Sequence, residues 1–132
     1  VLLILPVLFF TSCKKAIEKA QEKAVIDAIT SGFWKVTQFN KGSTDVASTF
    51  TNYKFQFKEN YTVDALKNNV VEKTGSWNGD PTAMTITSNF GNVSEPLLLL
   101  NGTWNITKSS ISYVEANQTV NNELRFLRLD KE

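Results

Sequence analysis

The sequence predicts an all-β domain, an eight-stranded antiparallel up-and-down barrel preceded by a short N-terminal helix. Three observations carry this expectation. Tyr53, Phe55 and Phe57 alternate with Lys54, Gln56 and Lys58, the two-residue period of a strand with one wet face. Turn chemistry recurs along the chain, at Asn40-Lys41-Gly42-Ser43, Glu59-Asn60, Asn68-Asn69, Asn78-Gly79-Asp80-Pro81, Ser109-Ser110 and Asn121-Asn122. The runs between these turns are joined by short connections, which favour hairpins over parallel crossovers.

Taken in order, the predicted strands are 33–40, 51–58, 61–67, 70–77, 82–88, 101–108, 110–116 and 123–130. A parallel crossover needs about a dozen residues, and only 89–100 could supply one. Eight up-and-down strands close on themselves and leave no free edge. In front of them, residues 14–30 hold four alanines with mixed Lys and Glu and no Gly or Pro, a helix-forming composition. Ile17, Ala20, Ala24 and Ala28 share one stripe at helical spacing, which suits a spacer helix packed on the end of the barrel.

The first dozen residues have a different character. Val1 to Ser12 carries no charge and is followed by Cys13, Lys14 and Lys15. Twelve helical residues reach about 18 Å, short of a hydrocarbon core of roughly 30 Å, so the run suits the apolar region of a signal peptide better than a membrane span. Phe10-Thr11-Ser12-Cys13 resembles a bacterial lipobox, whose cysteine receives lipid and becomes the mature N-terminus; Phe10 departs from that motif's usual leucine. The resemblance implies three parts: a signal peptide over 1–12, a lipid-anchored helical spacer over 13–31 and the barrel over 32–132. It also implies a membrane partner reached through a lipid anchor on Cys13. An ordinary signal peptide with an incidental cysteine is the alternative. Lys14 and Lys15 do not look like an acidic surface-export tag, so the expected location is the bacterial outer membrane facing the periplasm, with the cell surface as the other option.

Composition excludes several function classes. Fourteen basic residues nearly cancel thirteen acidic ones, leaving no electrostatic footprint for nucleic acid. No histidine is present, which removes the usual general base near neutral pH and the commonest zinc ligand. One cysteine allows neither an intrachain disulfide nor a thiolate metal site. The acidic residues Asp64, Glu72, Asp80, Glu95 and Glu115 are scattered, with no spacing that pairs two of them for acid–base work. The expectation is a protein that is not an enzyme and needs no cofactor or metal. Five Asn-x-Ser/Thr sequons, at Asn60, Asn92, Asn101, Asn105 and Asn117, are chance products of an Asn-, Ser- and Thr-rich chain.

Three Gly-x-Trp triplets stand out: Gly32-Phe33-Trp34, Gly75-Ser76-Trp77 and Gly102-Thr103-Trp104. Glycine permits a bend or close approach, and Trp adds a large apolar wall. The first triplet follows the helix and opens the first strand. That placement resembles the Gly-x-Trp motif of lipocalins and of lipocalin-like lipoproteins of the Bacteroidetes type. Leu100-Asn101-Gly102-Thr103-Trp104-Asn105-Ile106 and Leu124-Arg125-Phe126-Leu127-Arg128-Leu129 look similar to the second group, so the resemblance spans about residues 31–130. It implies that Trp34 closes one end of the barrel and that a basic side chain near the last strand, Arg125 or Arg128, lies across it. The chain is shorter than typical secreted lipocalins and lacks their disulfide.

Two functions are expected from this reading. In the first, the barrel binds a small apolar or lipid-like ligand. Trp34, Phe55, Phe57, Val63 and Trp77 would form its lining together with Ile86, Trp104, Tyr113 and Phe126. In the second, those residues fill the core and the lipoprotein holds another envelope protein. Asn89 to Leu100, with four leucines after Pro96, is then the segment of interest. It could be a loop over the barrel mouth, a buried strand start or an exposed patch.

Overall fold

A computed structural model describes residues 22–132. The expectations for 1–12, for Cys13 and for the helix over 14–21 lie outside the described residues. A helix covers 22–29, and nine strands follow: β1 (Trp34–Lys41), β2 (Thr44–Asp45), β3 (Tyr53–Phe57), β4 (Thr62–Lys67), β5 (Val70–Asp80), β6 (Thr85–Asn89), β7 (Gly102–Ser109), β8 (Tyr113–Val120) and β9 (Glu123–Lys131). β2 is a two-residue strand folded back on the end of β1. The other eight pair in chain order, all antiparallel, and β1 pairs with β9 to close the barrel. Eight strands match the expected order, but β5 runs through the expected turn at Asn78-Gly79-Asp80 to end at Asp80, and β8 is displaced from the expected 110–116 to Tyr113–Val120. The seam between β1 and β3 is narrow, one pair at Trp34 and Phe55, while β1 and β9 match from Trp34–Lys131 to Lys41–Arg125.

Local sequence explains the closure. Trp34 and Val36 point inward on β1, and a bulge between Val36 and Gln38 shifts the pleat so that Phe39 is also buried. Tyr53, Phe55 and Phe57 are all buried on β3, as their period requires. Asn68-Asn69 and Asn121-Asn122 each hold two successive residues at positive φ, the backbone of a type I′ hairpin turn, which asparagine tolerates better than most residues. Gly75 has a different task. A Cβ there would come within 2.5 Å of the Asn89 carbonyl oxygen and 2.8 Å of the Phe90 ring, so only glycine lets β5 approach β6.

One end of the barrel is filled. The 3-10 turn at Ala47–Phe50 brings Phe50 under it, and a second at Leu97–Leu100 buries Leu97, Leu99 and Leu100, leaving Leu98 exposed. Residues 90–101 are therefore a loop folded over this end and not a crossover between parallel strands. Phe39 stacks on Phe50 at 5.7 Å and meets Trp104 edge-on at 5.7 Å, while Phe55 reaches Phe90 at 6.2 Å. The Asn101 amide holds the loop shut, accepting from the Phe90 amide at 2.7 Å and donating to the Gly91 carbonyl at 3.1 Å. At the opposite end lie the helix and the three hairpins β3–β4, β5–β6 and β7–β8.

Candidate functional site

The helix end of the barrel is an open cup of about 350 Å³. Its floor and walls come from Trp34, Trp77, Ile86, Ile106 and Val114, and its rim from Tyr61, Met84 and Ile111 on the three hairpins. Val25 and Ile29 of the helix form a side wall. The volume falls near the lower end of ligand pockets, roughly 300–1,000 Å³. Deeper in, Phe55, Phe57, Val63, Phe90, Trp104 and Leu127 surround a void of only about 40 Å³. That is far below the roughly 300 Å³ at which ligand pockets begin. The barrel is thus solid at one end and hollow at the other.

The cup keeps its shape because the helix is pinned to the barrel. The last carbonyls of a helix have no partner within it and attract positive charge. Here the Trp34 indole Nε1 donates to the Ile29 carbonyl at 2.9 Å, and Lys131 Nζ donates to the Ala28 carbonyl at 2.9 Å. The same ammonium lies 5.1 Å from the centre of the Trp34 ring. Gly32, at φ +73°, makes the turn from the helix into β1 that side chains disfavour. Trp77 is fixed similarly, with Nε1 donating to the Lys58 carbonyl at 2.9 Å and its ring edge-on to Phe57 at 5.6 Å.

The basic residue across Trp34 is Lys131, which corrects the expectation of Arg125 or Arg128. Leu127 and Leu129 point inward on β9, so Arg128 points outward with Phe126. On the outer face Arg128 pairs with Glu115 at 3.0 Å and Asp130 at 2.9 Å, and its guanidinium lies 4.4 Å from the Tyr113 ring centre. These two carboxylates raise the Arg128 pKa, and the Arg128 bonds, aided by Thr37, lower that of Asp130. Arg125 pairs with Glu123 at 3.1 Å, near the filled end. Tyr113 and Phe126 therefore do not line the interior. Their neighbours Val114 and Leu127 take that face, because the antiparallel register sets Val114 opposite Leu129 and Ala116 opposite Leu127.

Of the remaining expected lining residues, Trp34, Trp77 and Ile86 border the cup, while Phe55, Phe57, Val63 and Trp104 belong to the packed interior. Ile106, Val114, Tyr61, Met84 and Ile111 were not anticipated. Ile106 shares the parity of Trp104 on one strand and was within reach of the alternation argument. Tyr61, Met84 and Ile111 are lone apolar residues in turns, where nothing in the local pattern marks a rim.

A second groove of about 490 Å³ lies at the filled end, lined by Ser48, Thr49, Thr51, Asn52, Lys67, Glu72 and Lys73 among others. It is polar and mixed in charge. Tyr53 beneath it has a pKa pushed up to about 12, by burial first and by the neighbouring Glu72 carboxylate second. A phenol held so firmly protonated is a poor base or nucleophile at neutral pH. Elsewhere, Asp64 is held below the usual carboxylate range by Lys58 at 2.8 Å and by the Thr74 hydroxyl at 2.7 Å, against the opposing effect of burial. Among the described residues, no cluster of three or more His, Cys, Asp or Glu could hold a metal ion, and no helix is long and apolar enough to cross a membrane.

No protein-family model and no curated protein matches the sequence. Among solved structures, a DUF4847 family protein from Bacteroides vulgatus is similar to this chain. The TM-score is 0.57 and 13% of residues are identical, over 82% of this chain and 97% of that one. At that identity the likeness shows the fold alone: a closed eight-stranded antiparallel barrel behind a short N-terminal helix.

Proposed function

We propose that this chain is a non-catalytic envelope lipoprotein whose lipocalin-like barrel carries a small apolar or lipid-like ligand in the cup at its helix end. The observation that carries the reading is the cup itself. About 350 Å³ is left open beside Trp34, Trp77, Ile86 and Ile106 in a barrel whose other half is packed with aromatic rings. Leaving that space unfilled forgoes packing contacts that a simple scaffold would make. Trp34 at the barrel end, crossed by a basic residue of the last strand, supports the lipocalin-like reading. The lipobox-like Phe10-Thr11-Ser12-Cys13 supports a lipid anchor and an outer-membrane location facing the periplasm.

Titration with an apolar fluorescent probe tests the ligand site. Trp34 and Trp77 line the cup and Trp104 does not, so saturable binding should quench part of the tryptophan emission. Ile106→Trp, which narrows the cup, should weaken the effect while the barrel stays folded. Saturable binding untouched by Ile106→Trp, or none at all across several chain lengths, would refute the cup as the site.

A further inference from the structure

The three hairpins at the helix end share an apolar tip, and at one of them the half-exposed Tyr61 ring also packs on Trp77 at 5.4 Å. Each tip exposes one large apolar side chain: Tyr61 between β3 and β4, Met84 between β5 and β6, and Ile111, 78% exposed, between β7 and β8. Two of them sit in strained backbone, Tyr61 at φ +66° and Met84 at φ +55°. Tyr61 closes a three-residue loop, with its amide bonded to the Lys58 carbonyl at 3.0 Å and the Lys58 amide bonded to the Thr62 carbonyl at 2.9 Å. That closing position ordinarily goes to glycine. The left-handed conformation costs a side chain such as Tyr or Met about 1–2 kcal/mol. Asparagine occupies it in the two Asn-Asn hairpins at the other end. Large apolar groups are thus held at a cost around the mouth of the cup, where Val25 of the helix adds a fourth exposed apolar side chain.

We infer that this end of the barrel docks on a lipid surface, with Tyr61, Met84 and Ile111 entering the interface and the cup opening toward the bilayer. The chain arrives at the same end. Nine residues lead from Cys13 to Glu22, a span of about 14 Å if helical and about 30 Å if extended, so a membrane-held Cys13 keeps the mouth within reach of the bilayer. Polar neighbours flank the tips, Asn60 beside Tyr61 and Ser110 and Ser112 beside Ile111, as suits the headgroup boundary. Four separate side chains around an open mouth do not form the continuous patch of roughly 600–1,000 Å² that each partner of a stable protein interface contributes. A fluid lipid surface can adapt to them. The inference uses the anchor reading for its tether and stands whether or not the cup holds a ligand.

The test couples Cys13 of the full chain to a maleimide lipid in phosphatidylcholine vesicles, and side-chain oxidation by hydroxyl radicals is read by mass spectrometry. Anchoring should protect Tyr61, Met84 and Ile111 several-fold relative to the free chain and leave Leu98 and Leu124, at the filled end, unchanged. Met84→Ser combined with Ile111→Ser should then restore most of the reactivity of Tyr61. Tips as reactive anchored as free would overturn the docking. So would tips already protected in the free chain, which would mean cover by its own N-terminal segment or a second copy. Protection of Tyr61 that survives the double substitution would also overturn it, since the tether alone would then set the orientation. A cup without ligand, found separately by the probe titration, would leave this result standing.

Discussion

Lys131 and Trp34 are cross-strand partners in the β1–β9 closure, and the Lys131 ammonium lies over the Trp34 ring while bonding to the last turn of the helix. One side chain therefore ties three things together: barrel closure, the helix that walls the cup, and the ring that closes the cup floor. Lys131→Met keeps the length of the side chain and removes its charge. It should cost about 1 kcal/mol by urea unfolding and speed hydrogen exchange over 22–29. Arg128→Met, on the outer face, should leave helix exchange unchanged, which separates the two cations.

The filled end should behave as core and the hollow end should not. Phe39 is fully buried between Phe50 and Trp104, so Phe39→Ala should destabilise by about 3–5 kcal/mol. Ile106→Trp adds volume where about 350 Å³ is open and should change stability by less than about 1 kcal/mol. Equilibrium denaturation of both variants checks the asymmetry.

Two glycines of β5 make opposite predictions. Gly75→Ala drives a methyl into the Asn89 carbonyl and should cost about 1–3 kcal/mol, whereas a Cβ at Gly79 meets nothing closer than the Trp77 ring at 3.5 Å. Gly79→Ala should stay within about 0.5 kcal/mol of the parent in the same assay.

Acid and alkali should each weaken the fold in part through a named group. The Asp64 pKa is depressed in the folded state, so its stabilisation is complete above the unfolded value of about 3.9 and is lost as pH falls through the lower folded value. Asp64→Asn should flatten the acid limb of a urea-midpoint against pH curve. Tyr53 is shifted the other way. Its contribution is complete below about pH 10 and is lost as pH rises toward the folded value of about 12. One of the three tyrosines should therefore ionise late in an absorbance titration, and Tyr53→Phe should remove that step.

The strand order was legible because polar and apolar residues alternate cleanly where one face is wet, as in Tyr53 to Lys58, and because Asn-Asn pairs announce their turns. Face assignment failed where both faces carry apolar residues. In Leu124 to Leu129 either parity puts bulky groups inside, and only the pairing with β1 and β8 decides that Leu127 faces in and Phe126 out. Lys131 carries no local signal because its role depends on where the barrel closes. The position opposite Trp34 is set by the β1–β9 register and not by any local motif. The cup was beyond sequence reasoning for a related reason: a void is the absence of a side chain opposite Ile106 and Val114, and absence has no residue to read. The signal-peptide and lipid-anchor expectations for residues 1–13 rest on the sequence alone.

Native mass spectrometry of the protein, purified gently from the cells that make it, tests the central claim most directly. The account predicts an added mass that is lost on denaturation and is reduced in Ile106→Trp prepared in parallel. A bare polypeptide mass in both, unchanged after incubation with a lipid mixture, would contradict it.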